Sequence, residues 1–226
     1  MSEPIFVQGI FKEELKNRFL CLVEVDGKDT LCYIPSSCRL SNFVNLVGKD
    51  VLLTHNQSSN TRTEFAVYAL RDKRQFVLLN MSQANRVIER VIKGRRFSFL
   101  GKRVNVKKEY RIEGYKSDLY IDDSHTIVEI KSILSFDRNS LFPTVYSERA
   151  IDQLTRLSDL MDKGYKVCYL FASLSPRVKE VKINGEITKY HELFMECVNK
   201  GMVLKGYSIK LINNEPVLHS EIKVTV

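Results

Sequence analysis

Hydrophobic residues recur with two different periods along the chain. Through residues 5–80 the pattern reads all-β. Phe19 to Val25 and Thr30 to Ile34 alternate apolar with polar or run apolar, and Asp26-Gly27 between them is a strong hairpin signal. Asn45 to Asp50 reads as a turn into Val51 to Thr54, and a polar loop covers His55 to Arg62. Phe65 to Leu70 and Phe76 to Leu79 form a further strand pair around Arg71 to Arg74. Five or six short strands in about 75 residues predict a small barrel or sandwich. An OB-type barrel suits a basic protein, and a generic small barrel fits the pattern equally.

Beyond residue 80 the period lengthens. Ser82 is expected to cap a helix carrying Ala84, Val87, Ile88, Val91 and Ile92 at helical spacing, ending at Gly94. Strands follow near Lys107–Ile112, Asp118–Ile121 and Thr126–Lys131. Ser147 opens a second helix with Ala150, Ile151, Leu154, Leu157, Leu160 and Met161 turned inward, closed by Gly164. Val167–Phe171 is an apolar strand, a third helix runs from Tyr190 to Lys200 with Gly201 as its stop, and Met202–Ile212 returns as strand. This half predicts a mixed sheet flanked by helices. The chain thus divides into residues 1–80, a small β-barrel, and residues 81–226, an α/β unit.

Composition narrows the class. With 226 residues, 44% hydrophobic and 27% charged, the chain is globular rather than disordered or fibrous. It has no run of about 18 apolar residues to span a membrane, and its start lacks a basic segment followed by an apolar one. The expectation is a cytoplasmic protein. The five cysteines, Cys21, Cys32, Cys38, Cys168 and Cys197, form no Cys-x-x-Cys pair and have no histidine at zinc-finger spacing, so they read as small hydrophobes. No phosphate-cradling glycine loop or dinucleotide fingerprint is present.

Charge changes the picture more. Of a net +8, residues 1–80 contribute +1. The stretch Arg86 to Lys116 holds eleven basic residues against three acidic ones and alone carries +8. Phe97, Phe99, Tyr110 and Tyr115 interleave it, Phe97 and Phe99 reading as core rather than as stacking platforms. Such a stripe suits a phosphate backbone, because each neutralised phosphate releases condensed counterion, although a charge run alone also describes a solvated face. Arg95, Arg96, Lys102, Arg103 and Lys116 are its candidate contacts, and Lys16, Arg18 and Arg39 in the barrel are candidates to extend the track.

The candidate chemistry lies just after the stripe. If Asp122 to His125 make a hairpin turn, Ile121 faces Thr126, Tyr120 faces Ile127 and Asp118 faces Glu129. Leu119, Ile121, Val128 and Ile130 then lie on an apolar face, with Asp118, Glu129 and Lys131 on the other. Two carboxylates opposite each other repel. A hard divalent ion between them, Mg2+ or Mn2+, would resolve the conflict. Lys131 on the same face would position or deprotonate a water and neutralise charge developing on phosphate. The competing reading is a solvated hairpin with a Glu–Lys surface pair.

Asp118 followed by Glu129-Ile130-Lys131 resembles the PD-(D/E)XK nuclease core. Nearly the whole chain is similar to the sugar fermentation stimulation protein family. The likeness is carried by Lys16 to Leu20, Cys32 to Leu40, Asn80 to Asn85, Glu109 to Asp118, Val128 to Ser132 and Phe142 to Ala150. The resemblance implies an N-terminal OB-like domain, a nuclease-like C-terminal domain and DNA binding. By position, Asp118, Glu129 and Lys131 match the nuclease motif, and Glu109 matches an acidic position on the preceding strand that would serve as an outer metal ligand or as a partner supporting the ligands. Glu148 and Arg149 match a Glu-Arg pair opening the next helix, where Arg149 would clamp phosphate and Glu148 complete a water network. Three departures stand out. Ser36-Ser37-Cys38 replaces an Asn-Thr-Gly-like turn, Ala150 and Gln153 stand where Gly and His are common, and Ser117-Asp118 lacks the usual basic-then-apolar approach. Two functions follow as expectations: a metal-dependent nuclease, or a non-catalytic DNA-binding regulator.

Overall fold

The computed structural model describes residues 6–17, 19–35, 39–42, 44–56 and 62–226. Arg18, the turn at Ser36 to Cys38 and the middle of the polar loop lie outside them.

The N-terminal strands are β1 (Phe6–Glu14), β2 (Leu20–Val25), β3 (Lys28–Tyr33), β4 (Asp50–His55), β5 (Phe65–Asp72) and β6 (Gln75–Leu78). They join in the order β3-β2-β1-β4-β5-β6, and β3 also pairs with β5 in parallel through Cys32/Phe65 and Tyr33/Ala66. That extra pairing closes β1 to β5 on themselves as the OB-type barrel, with β6 extending beyond the closure. Asp26 and Gly27 both take positive φ, as a two-residue hairpin turn requires. At Gly9 a Cβ would stand 2.5 Å from Val23 Cγ1, so only glycine lets β1 curl this tightly over β2. Phe11, Val23, Ile34, Leu53 and Val67 fill the barrel.

The C-terminal unit contains α1 (Ser82–Val91), β7 (Val106–Lys108), β8 (Arg111–Ile112), β9 (Tyr115–Lys116), β10 (Leu119–Ile121), β11 (Thr126–Ile133) and β12 (Asn139–Phe142). It continues with α2 (Glu148–Asp162), β13 (Lys166–Ser173), β14 (Glu180–Ile183), α3 (Thr188–Asn199), β15 (Val203–Ile212), β16 (Glu215–Glu221) and β17 (Lys223–Thr225). The main sheet runs β16-β15-β13-β11-β10-β7, with β11, β13 and β15 parallel to one another and the outer pairs antiparallel. A core on one face packs α1 and the turn Arg95–Leu100 against Leu119, Ile121, Val128, Ile130 and Leu170. A second core on the other face packs α2 and α3 against Ile127, Ile133, Tyr169 and Phe171. Arg177 ties the two units by an ion pair to the buried Asp72 (2.9 Å), and Tyr68 of the barrel donates to the Asn214 carbonyl (3.1 Å).

Three expectations are corrected. Ser82 does not cap α1; it is the first helical residue, and Asn80 Oδ1 accepts from its amide (3.0 Å) and hydroxyl (2.7 Å). Ser147 does cap α2, accepting from Ala150 N (3.3 Å). The strands β12, β14 and β17, which form a separate parallel sheet, and β16 went unread because they are short or strongly charged. Phe97 is buried against Tyr207, but Phe99 is exposed beneath Lys205. Among the described residues no helix is long and apolar enough to cross a membrane. Cys21, Cys32, Cys168 and Cys197 are free and buried, and burial pushes the Cys168 thiol up to about 12.

Candidate active site

The hairpin β10–β11 turns through a short 3-10 segment, Asp122–Ser124, with His125 left-handed at its end. Ile121 pairs with Thr126, Tyr120 with Ile127 and Leu119 with Val128. The ladder stops one pair before Asp118 and Glu129. Instead of meeting a backbone carbonyl, the Ile130 amide donates to the Asp118 carboxylate (N···Oδ2 2.8 Å). The other oxygen, Oδ1, accepts from the Asn85 amide of α1 (3.0 Å). Asp118 is therefore held by its side chain, between α1 and β11, and not by cross-strand pairing with Glu129.

The face carrying Glu129 and Lys131 is not the solvated face that alternation suggested. Central parallel strands are covered on both sides, and α2 with α3 cover this one, leaving Glu129 4% exposed. A carboxylate so deep must be hydrogen-bonded or paired. Tyr115 donates to its Oε2 (2.6 Å), and Oε1 accepts from Lys131 (2.9 Å) and Gln153. Lys131 also donates to Gln153 Oε1 and stands 5.3 Å above the Tyr169 ring. Gln153 Nε2 lies 3.1 Å from the Tyr115 hydroxyl. The result is one network spanning β9, β11, β13 and α2.

Electrostatics follow from this burial. Desolvation, and after it the negative charge of Glu129, push the Asp118 carboxyl up to about 6, against the opposing pull of the Ile130 amide and Lys131. Burial and Glu129 push the Tyr115 phenol far above its ordinary range, so it acts as a donor at every physiological pH. The pair of carboxylates is thus a site of concentrated negative charge that one ammonium only partly offsets.

The other candidates are placed differently. Glu109 lies next to Asp118, whose carbonyl accepts its amide (2.9 Å), but its exposed carboxylate pairs with Lys116 (2.7 Å) and is held below the usual range by that lysine. Glu148 and Arg149 are exposed on the first turn of α2, outside the network. Among the described residues no three Asp, Glu, His or Cys side chains converge as a metal cluster.

The basic stripe is also differentiated. Lys102, Lys107, Lys108 and Lys116 pair with Asp123, Asp122, Glu89 and Glu109. Arg103 donates to the carbonyls of Ile92 (3.0 Å), Gly94 (3.4 Å) and Gly101, so it closes the C-terminal end of α1. Arg96 donates to Leu218 O (3.2 Å) and His219 O (2.8 Å), and Lys93 to Val104 O (2.7 Å). Arg39 in the barrel donates to Leu15 O (3.2 Å) and Lys16 O (3.0 Å); the Lys16 side chain is exposed. Arg86, Arg90, Arg95 and Arg111 are exposed, with no hydrogen-bond or ion-pair partner for their guanidiniums among the described residues.

Sequence reasoning missed Tyr115, Gln153 and Asn85 as members of the site. Gln153 carried a signal: three residues after Ala150 and four before Leu157, it lies on the inward side of α2, where a polar residue needs a partner.

Comparison with known proteins places both halves. A profile of the sugar fermentation stimulation protein RE domain matches residues 82–215, and one of the SfsA N-terminal OB domain matches residues 15–79. A sugar fermentation stimulation protein homolog of Caldanaerobacter subterraneus subsp. tengcongensis is 27% identical over 232 residues, covering 100% of this chain and 99% of that one. A homolog of Methanobrevibacter smithii is 25% identical over 216 residues, covering 89% and 90%. Among solved structures, that of Pyrococcus furiosus SfsA in complex with Ca2+ superposes with a TM-score of 0.82 at 19% identity, over 100% of this chain and 98% of that one. Matched by both domain profiles in chain order and by relatives along nearly its full length, the chain belongs to the sugar fermentation stimulation protein family.

Proposed function

We propose that this chain binds nucleic acid, DNA foremost, and hydrolyses phosphodiester bonds at Asp118, Glu129 and Lys131 with a divalent ion, Mg2+ or Mn2+. The observation that carries the reading is the network itself: a buried carboxylate, Glu129, and a half-buried one, Asp118, close enough for one to raise the pKa of the other, with an ammonium bonded to the first.

The donor set fits a hard cation. It is all oxygen, and Asp118 Oδ1, Asp118 Oδ2 and Glu129 Oε2 each accept a single hydrogen bond, leaving each a lone pair. Asp118 and Glu129 would hold the ion, and the related Pyrococcus furiosus protein is described in complex with Ca2+, another oxygen-seeking cation. When bound, such an ion polarises a phosphoryl oxygen and acidifies a water. The chain's own residues do the rest. Tyr115 and Gln153 fix the Glu129 carboxylate, Gln153 holds the Lys131 ammonium beside it, and Asn85 with the Ile130 amide orients Asp118. Lys131 faces the charge that develops on phosphate, and the unpaired guanidiniums of the stripe draw the backbone in.

A second reading is a DNA-binding regulator without turnover. It is favoured by the absence of a third metal-ligating side chain among the described residues and by Glu129 Oε1 already accepting two bonds. Labelled single- and double-stranded DNA and RNA, incubated with Mg2+ or Mn2+ and either wild type or Glu129→Gln, separate the two. Metal-dependent cutting abolished by the substitution supports the nuclease. Binding without cutting by either protein supports the regulator.

A further inference from the structure

On the α1 side of the main sheet lies a cavity of about 360 Å³, bounded by the end of α1, the turn that follows it and β16. Its walls are apolar, with Val91, Val217 and Leu218 among them, and its remaining side chains are the guanidiniums of Arg90, Arg95 and Arg96. Among the described residues no acidic side chain lines it.

The charge at this place differs from that of the rest of the stripe. Four of the lysines between positions 102 and 116 are each matched by a carboxylate. At the cavity, Arg90 and Arg95 have no such partner among the described residues, and Arg96 is bonded there only to backbone carbonyls, which leave its charge uncompensated. Uncompensated guanidiniums around an apolar hollow call for a ligand with an anionic head and an apolar body. Guanidiniums match phosphate bidentately, and the volume lies at the low end of the small-ligand range of about 300–1,000 Å³, room for one nucleotide but not for a strand.

We propose that this cavity is a binding site for one nucleoside monophosphate unit, with the base against Val91, Val217 and Leu218 and the phosphate held by Arg90, Arg95 and Arg96. The unit is either a free nucleotide or the 5′-phosphorylated end of a strand. The site is independent of the carboxylate pair.

The test therefore uses full-length Glu129→Gln protein in EDTA, so that failure of the nuclease reading cannot decide it. Calorimetric titration with adenosine 5′-monophosphate is expected to saturate. Loss of Arg90 and Arg95 together to alanine should weaken it by about tenfold or more, since each charge-assisted bond is a large fraction of a weak affinity. Val217→Trp, which fills the hollow without changing charge, should weaken it similarly, with circular dichroism confirming that both variants are folded. A 5′-phosphorylated oligonucleotide binding tighter than its 5′-hydroxyl counterpart, with the difference lost in Val217→Trp, assigns the site to a strand end. Equal binding of the two oligonucleotides alongside adenosine monophosphate binding assigns it to free nucleotide. No saturation at about 10 mM, a concentration that would detect even millimolar affinity, overturns the proposal. So does orthophosphate binding as tightly as the nucleotide with Val217→Trp unaffected.

Discussion

Asp118→Asn should make the protein more stable without metal and less stable with it, and the two effects should cross. The Asp118 carboxyl titrates near 3.8 when unperturbed and is raised to about 6 in the fold. A group whose folded pKa is raised stabilises the fold while protonated in both states, and that contribution is lost as pH rises through the folded value. At pH 8 the wild type therefore carries the full penalty of a desolvated, half-buried carboxylate near Glu129, and at pH 3, below both values, it carries almost none. A shift of roughly two units at about 1.4 kcal/mol each gives a penalty of about 3 kcal/mol. Asparagine keeps an oxygen for the Ile130 amide and an amide group that Asn85 can meet by turning its own, so the substitution removes charge with little loss of hydrogen bonding. Urea unfolding in EDTA should show Asp118→Asn about 2–3 kcal/mol more stable than wild type at pH 8 and only about 1 kcal/mol more stable at pH 4.5. Added Mn2+ or Mg2+ at a thousandfold excess over its dissociation constant should then raise the wild type by about 4.1 kcal/mol, past the variant, and leave the variant unmoved. A stability difference that is flat across pH, or equal stabilisation of both proteins by the metal, would refute the reasoning.

Other substitutions probe separate parts of the fold. Tyr115→Phe leaves Glu129 Oε2 without its donor and should cost about 1–3 kcal/mol in chemical unfolding, with metal affinity falling at the same time. Leu154→Ala, at a fully buried position of α2, should cost about 2–5 kcal/mol through the cavity it leaves, measured by the same unfolding curves. Replacing the unpaired Arg86 or Arg111 by alanine should reduce the slope of log affinity for DNA against log salt by about one where that side chain meets a phosphate. Arg103→Ala should instead lower stability by about 1 kcal/mol or more by releasing the carbonyls at the end of α1, with little change in slope.

How far the fold could be read from the chain depended on whether local rules and burial agreed. The Asp26-Gly27 turn, the Ser147 cap and the Gly164 and Gly201 stops are local, and they stand in the structure where the residues said they would. The hairpin register from Leu119 to Val128 was equally legible, since a four-residue turn fixes every pair after it. What could not be read was where the ladder stops. Pairing of Asp118 with Glu129 follows from register alone, yet Asn85, some thirty residues earlier in the chain, takes Asp118 into a different set of bonds. That contact is tertiary, and no periodicity encodes it.

The same limit explains the candidate site and turns it into an argument about chemistry. Alternation correctly put Glu129 and Lys131 on one face, but whether that face meets water depends on α2 crossing it, and α2 reads from sequence only as an amphipathic helix with an inward stripe. Once α2 is there, Glu129 is buried and its charge must be met from several elements at once. Tyr115, Gln153 and Lys131 meet it. A solvated Glu–Lys surface pair would need none of these, since exposed pairs contribute roughly 0–1 kcal/mol and tolerate loose geometry. A buried carboxylate that gathers a phenol, an amide and an ammonium, while raising a second carboxyl to about 6, is costly for stability and has no structural need that a well-packed apolar residue would not serve as well. The arrangement is a cost if it only stabilises and is accounted for if it binds a metal, and the crossing of wild type and Asp118→Asn on adding metal is the measurement that separates those two explanations.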